Sequence, residues 1–169
     1  CSYMKSRRLF TILALCSMLL AAQAQVREMM GGVQISHISS SYGADNIYGS
    51  LGVGARFHYE LLNQLLVAPK ANFYFGESGD TWWSADLAVD FHYNFVAAID
   101  FYIYPIVGVC MSHWNQGEYF PSQNSLGVNV GIGAQYNITP NITLNGEYKY
   151  LIYKKRDVID FALAVGYRF

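Results

Sequence analysis

"DVIDFALAVGYRF", Asp157 to Phe169, changes character at every step. Ile159, Phe161, Leu163, Val165, Tyr167 and Phe169 are apolar or aromatic. Val158, Asp160, Ala162, Ala164, Gly166 and Arg168 alternate with them and are, Val158 apart, small or charged. A period of two is the period of a β-strand, whose successive side chains leave opposite faces. Two such unlike faces meet two different solvents. The decisive question is which solvent lies on which side.

The same alternation recurs along the chain. "YGSLGVGARFHYEL" (48–61) sets Leu51, Val53, Ala55, Phe57, Tyr59 and Leu61 against Ser50, Gly52, Gly54, Arg56, His58 and Glu60. "WWSADLAVDFHYNF" (82–95), "LGVNVGIGAQYNI" (126–138) and "ITLNGEYKYLIY" (142–153) repeat it. Residues 65–75 and 101–111 read as two more strands, and 32–41 as a weaker one that loses its alternation at His37-Ile38. With the last stretch this predicts about eight strands near the length of a membrane-crossing strand. No helical period competes. Short turns are expected at 62–64, 96–100 and 139–141, and longer or more polar loops at 42–46, 76–81, 112–125 and 154–157. Pro69 and Pro105 fall inside strands, where each removes a ladder hydrogen bond, so bulges are expected there.

The first residues add a compartment. "MKSRRLFTILALCSMLLAAQAQ" joins a basic start to an apolar run and a small-x-small site at Ala22-Gln23-Ala24. This reads as a secretory signal peptide over residues 1–24, with 1–3 as an upstream extension and cleavage before Gln25. The apolar run is short for a membrane helix. Residues 25–169 then form one domain with eight basic and twelve acidic residues, a net charge of about −4. That balance gives nucleic acid no basic surface. Cys110 is the one cysteine left, so an intrachain disulfide is excluded.

Three details put lipid outside. The polar face is rich in Gly, Ala, Ser and Asn, which suit a narrow interior. Aromatics gather at strand ends on the apolar face: Tyr59, Tyr93, Phe95, Tyr136, Tyr167 and Phe169 toward one end, Phe75, Trp83 and Tyr150 toward the other. A sheet in lipid must also pair every backbone group, so it must close, with the last strand sealing the first. The fold expected is all-β: an eight-stranded antiparallel up-and-down transmembrane β-barrel. Both termini are expected on the periplasmic side.

The ending "GYRF", with Tyr167 and Phe169, resembles the C-terminal signature of gram-negative outer-membrane barrels. With the leader and strand count, the chain is similar to the small OmpA/OmpX-like family. The resemblance implies an integral outer-membrane protein among lipid and lipopolysaccharide. It also implies that the barrel assembly machinery reads the final strand.

Several constellations follow from the inward parity. Arg56, Glu60, Lys70, Asp86, Asp90, Glu147, Lys149 and Asp160 form the expected lumenal charge network, with His58, His92 and Asn72 on the same face. Buried charges must be paired, and an eight-stranded barrel is filled by side chains. A structural plug is therefore expected rather than a pore, with a small porin-like conduit as an alternative. No cofactor and no metal are expected, because His58 and His92 need further ligands at set geometry. In "SHIS" (36–39), His37 and Ser39 share a strand face and are weak catalytic candidates for a lipid A-modifying enzyme, a deacylase or acyltransferase. They lack an assigned carboxylate. Trp114, Tyr119 and Phe120 are expected on an exposed loop, where aromatics rest in the headgroup layer or favour recognition of an extracellular ligand. Lys154, Lys155 and Arg156 form a basic tip suited to lipopolysaccharide phosphates. The overall expectation is a non-enzymatic barrel of structural or surface-interaction type.

Overall fold

The computed structural model of the chain describes residues 28–41, 47–76, 83–115, 122–154 and 156–169. The expected leader lies outside these residues, as do Tyr119 and Phe120. The strands are β1 (Met29–Ser41), β2 (Ile47–Leu62), β3 (Leu65–Phe75), β4 (Trp83–Tyr93), β5 (Phe95–Ala98), β6 (Phe101–Asn115), β7 (Gln123–Asn137), β8 (Ile142–Tyr153) and β9 (Arg156–Arg168). All pairings are antiparallel. β4 and β5 lie along the same partner, β6, and are one barrel strand interrupted at Asn94. β1 pairs with β9 from Met30↔Arg168 to Ser41↔Asp157, and the β4–β6 pairing completes the circuit. The result is a closed eight-stranded up-and-down barrel.

Closure explains the terminal strand. Its odd residues from Asp157 to Tyr167 are exposed and its even residues from Val158 to Gly166 are buried. Phe169 N–H donates to the Met29 carbonyl (3.0 Å), so the last residue is stitched to the first strand. On the outer wall Val33, Ile35, Leu51, Leu126, Ile132, Leu163 and Val165 stand exposed, while Gln34, Arg56, Lys70, Asp90, Asn129 and Glu147 are buried inside. A water-soluble barrel has the opposite arrangement. An apolar band this continuous fits hydrocarbon.

One end of the barrel carries both described chain ends and the close turns after β2, β5 and β7; the other carries the four remaining connections. Gln64 and Asp100 occupy the left-handed region (φ 73° and 58°) at two of these turns. Register slips by one residue beside each, between Glu60 and Leu62 and between Val96 and Ala98.

Four expectations need correction. The prolines cause no bulge. Pairing steps from Arg56↔Lys70 to Tyr59↔Val67 around Pro69, and from His92↔Ile106 to Phe95↔Ile103 around Pro105, with register unchanged. On its other side each proline stays aligned, with Val89 and Ile132. A missing N–H therefore opens the ladder over two residue pairs and adds no residue. The first strand keeps its pleat: His37 is exposed and Ile38 is 1% exposed. Only the polarity of those two positions is exchanged. Residues 112–115 and 123–125 of the expected loop are strand, with Ser112↔Ser125 and Trp114↔Gln123 still paired. Likewise β5 runs through most of the expected 96–100 turn.

Candidate functional site

The lumen is built in three layers. The middle one is a chain of alternating charges. Arg56 Nη2 lies 2.6 Å from Glu147 Oε1, and Lys70 Nζ lies 2.5 Å from Glu147 Oε2. Lys70 also reaches Asp90 Oδ2 at 2.8 Å; Lys149 Nζ reaches Asp90 Oδ2 at 3.7 Å and Asp160 Oδ2 at 3.1 Å. Read along its contacts, the chain runs Arg56–Glu147–Lys70–Asp90–Lys149–Asp160, three cations and three anions. All six are almost fully buried.

Strand pairing alone does not produce this order. Arg56 and Lys70 are direct cross-strand partners on β2 and β3, and like charges so placed repel. Both instead reach across the lumen to Glu147 on β8. Lys149 is the cross-strand partner of Asp160, a favourable pair. Each buried ion costs several kcal/mol of lost hydration, recovered only through close opposite charge and hydrogen bonds. Neutral groups supply the latter. Tyr104 donates its O–H to Glu147 Oε1 (3.0 Å), and Asn129 Nδ2 donates to Asp90 Oδ1 (2.9 Å). Tyr104 lies against Gly133, its cross-strand partner, where any Cβ would overlap the ring. Sequence reasoning left out Tyr104, Asn129 and Gln34, whose Nε2 donates to Asn72 Oδ1 (2.5 Å). The signal available for Tyr104 was its place on the inward parity of β6 opposite a glycine.

Two expected members of the network stand apart. Asp86 is buried one level away and accepts from Ser112 Oγ (2.5 Å) and Ser84 Oγ (3.3 Å). Glu60 belongs to the mouth beside the termini, where its Oε2 accepts from Glu28 N–H (3.4 Å).

The layer toward the loop-bearing end holds an apolar cluster, Ile38, Tyr74, Cys110, Trp114, Leu151, Tyr153 and Val158, beside the buried Ser84, Ser112 and Asp86. This corrects the reading of Trp114, which is 7% exposed and points into the barrel from β6 rather than out on a loop. The thiol of Cys110 is buried in the same layer.

The third layer opens to the termini. A vestibule of about 190 Å³ is lined by Glu28, Glu60, Gln64, Tyr102 and Arg168, with His58 among its lining. The Arg168 Nε–Glu28 Oε2 pair (3.3 Å) sits at its rim. His58 is 1% exposed and neither ring nitrogen has a hydrogen-bond partner; His92 Nε2 also has none. The two rings meet edge to face at 5.2 Å, and His92 stacks on Tyr104 at 4.7 Å. An unmade hydrogen bond at a buried polar atom costs about 1–3 kcal/mol.

His37 is on the outer wall with Leu51 and Phe161 as cross-strand partners, and Ser39 is flanked by Gly49 and Ile159. None of these four can orient an imidazole as a triad carboxylate does. Replacing His37 by Ala is expected to change unfolding free energy by less than about 0.5 kcal/mol, measured by urea titration in lipid vesicles.

An apolar outer wall, a closed sheet and a polar, filled lumen define an integral β-barrel of the outer membrane. The chain belongs to the outer membrane protein beta-barrel domain family, whose model matches residues 9–169. Its fold is similar to that of Ail, the attachment invasion locus protein of Yersinia pestis, at 19% identity and TM-score 0.64, over 84% of this chain and 98% of that one. It is also similar to Neisserial surface protein A, at 17% identity and TM-score 0.66, over 83% and 97%. The N-terminal β-barrel domain of Pseudomonas aeruginosa OprF follows at 20% identity and TM-score 0.61, over 82% and 97%. No curated protein sequence matches. The protein is thus a small outer-membrane barrel of the OmpA/OmpX type.

Proposed function

We propose that this protein is a non-enzymatic barrel of structural and surface-interaction type, with a lumen closed to solutes. The observation that carries this reading is the stack of a fully buried charge chain beneath an apolar cluster. An ion crossing the barrel would have to break several short ion pairs and then pass a closely packed cluster of largely aromatic and aliphatic side chains. In this reading the turn-bearing end and both termini face the periplasm, after a leader cut before Gln25. The assembly machinery reads Tyr167 and Phe169 on β9. The loops opposite face the outside.

The outward partner is proposed to be anionic. Lys154 is exposed at the tip between β8 and β9, with Lys155 and Arg156 adjacent in sequence. One structure of Ail holds the heparin analogue sucrose octasulfate. A sulfated or phosphorylated saccharide, including the lipopolysaccharide core, offers the same charge to this tip.

Purified protein in a planar bilayer is expected to stay silent where a porin control conducts. Reproducible unit steps from barrels that shift mobility on boiling would overturn the closed-lumen reading. Lipid A mass spectra from cells with and without the gene are expected to coincide. A difference of one acyl chain would instead make the protein an enzyme.

A further inference from the structure

We propose that His58, His92 and Glu147 form a site for a divalent transition metal, zinc in the first instance, at the inner end of the vestibule. Each residue offers one ligand atom, and these atoms lie within 4.8 Å of one another. All three side chains are almost fully buried. The site stands whether or not the lumen conducts.

Three observations converge on this site. First, His58 has two unpartnered nitrogens and His92 has one, although the rings stand side by side. Imidazole nitrogens buried without partners are the donors that zinc, copper and nickel prefer. Second, the donors come from three strands, β2, β4 and β8, which the closed wall holds in fixed register. Two histidines and a glutamate make a set known to hold zinc with a fourth position open. Third, His58 lines the vestibule, so the site adjoins the mouth beside the termini.

The surroundings set the terms of binding. Donors around tetrahedral zinc lie about 3.4 Å apart, so the three must draw together. Glu147 must also share its oxygens. Lys70 already spans Glu147 Oε2 and Asp90 Oδ2, and settling on Asp90 releases Oε2 to the metal. Arg56 stays on Oε1, as does the Tyr104 hydroxyl, which fixes the carboxylate from behind. Such outer partners orient metal ligands and tune affinity. The nearby positive charge of Arg56 and Lys70 opposes a dication, so the site is a reversible one and weaker than a structural zinc finger.

The test uses the full mature chain, refolded in detergent without an affinity tag and stripped with chelator. Zinc uptake is measured by equilibrium dialysis, and the ligand-field spectrum is recorded with Co2+. The expected result is one equivalent of zinc and a low-symmetry cobalt spectrum. His58→Ala and His92→Ala should each weaken binding by about tenfold or more. His113 stands on β6 with its ring beside Trp83, away from the site, and the double variant His37→Ala with His113→Ala should bind as the parent does. Uptake well below one equivalent by the parent overturns the proposal. So does binding that survives in the His58→Ala/His92→Ala protein or vanishes in the His37→Ala/His113→Ala protein. Gel mobility with and without boiling confirms that each variant is folded. Should an alanine variant fail to fold, His58→Gln and His92→Gln keep the side-chain volume, and the parent's cobalt spectrum decides independently: an octahedral aqua-type spectrum refutes the site.

Discussion

Replacing Glu147 by Gln is expected to lower the unfolding free energy by about 3–5 kcal/mol, read from urea titration in lipid vesicles. The size is nearly unchanged, so the loss is electrostatic. Glu147 is the anion shared by Arg56 and Lys70, which face each other across β2 and β3. Without its charge Arg56 keeps no close anion among the ion pairs described, and Lys70 keeps Asp90. Asp86→Asn is the matched comparison. Its contacts with Ser84 and Ser112 are hydrogen bonds at one edge of the lumen, and a loss of about 0.5–1.5 kcal/mol is expected. Equal losses in the two variants would mean that the alternating chain has no special weight.

Leu163→Arg should cost about 2–4 kcal/mol in a bilayer, whereas Ile142→Arg should cost about 0–1. Both residues face outward, at 51% and 39% exposure. They differ in depth: Leu163 lies near the middle of β9, and Ile142 begins β8 at the turn-bearing end. A charge at the hydrocarbon midplane loses its hydration, while one near the interface keeps it. If both variants unfold like the parent, the apolar wall does not sit in hydrocarbon. The comparison separates a lipid-facing exterior from one that merely happens to be exposed.

The wall was legible in the sequence because alternation is a local property. Ile159 and Asp160 declare opposite faces within two residues, and closure follows once the outside is lipid. The lumen was only half legible. Parity places Lys149 and Glu147 inside, but not their partners. Lys70 meets Glu147 across 77 positions of sequence, a contact set by strand tilt and barrel width. Polarity also misleads near the loops. There the interior holds an apolar cluster of its own, so Ile38 and Trp114 point inward, although their character suggests the outer face or a loop. His58 and His92 were legible as an inward pair, but not as touching rings: they lie on strands that are not neighbours, and only the barrel's curvature brings them together.

The two gaps in pairing have a kinetic consequence. One lies between β2 and β3 beside Pro69, the other between the β4–β5 strand and β6 beside Pro105. β3 and β4 therefore make a panel that is fully laced to itself, from Leu65↔Tyr93 to Phe75↔Trp83, but interrupted along both flanking seams. Cooperative opening begins where few bonds must break together. In amide hydrogen exchange, the residues around these seams should trade deuterium earlier than the β1–β9 closure, whose pairing is unbroken over its whole length. The joint made last in the chain is then the slowest to come undone, and the wall breathes at a seam where His58 stands.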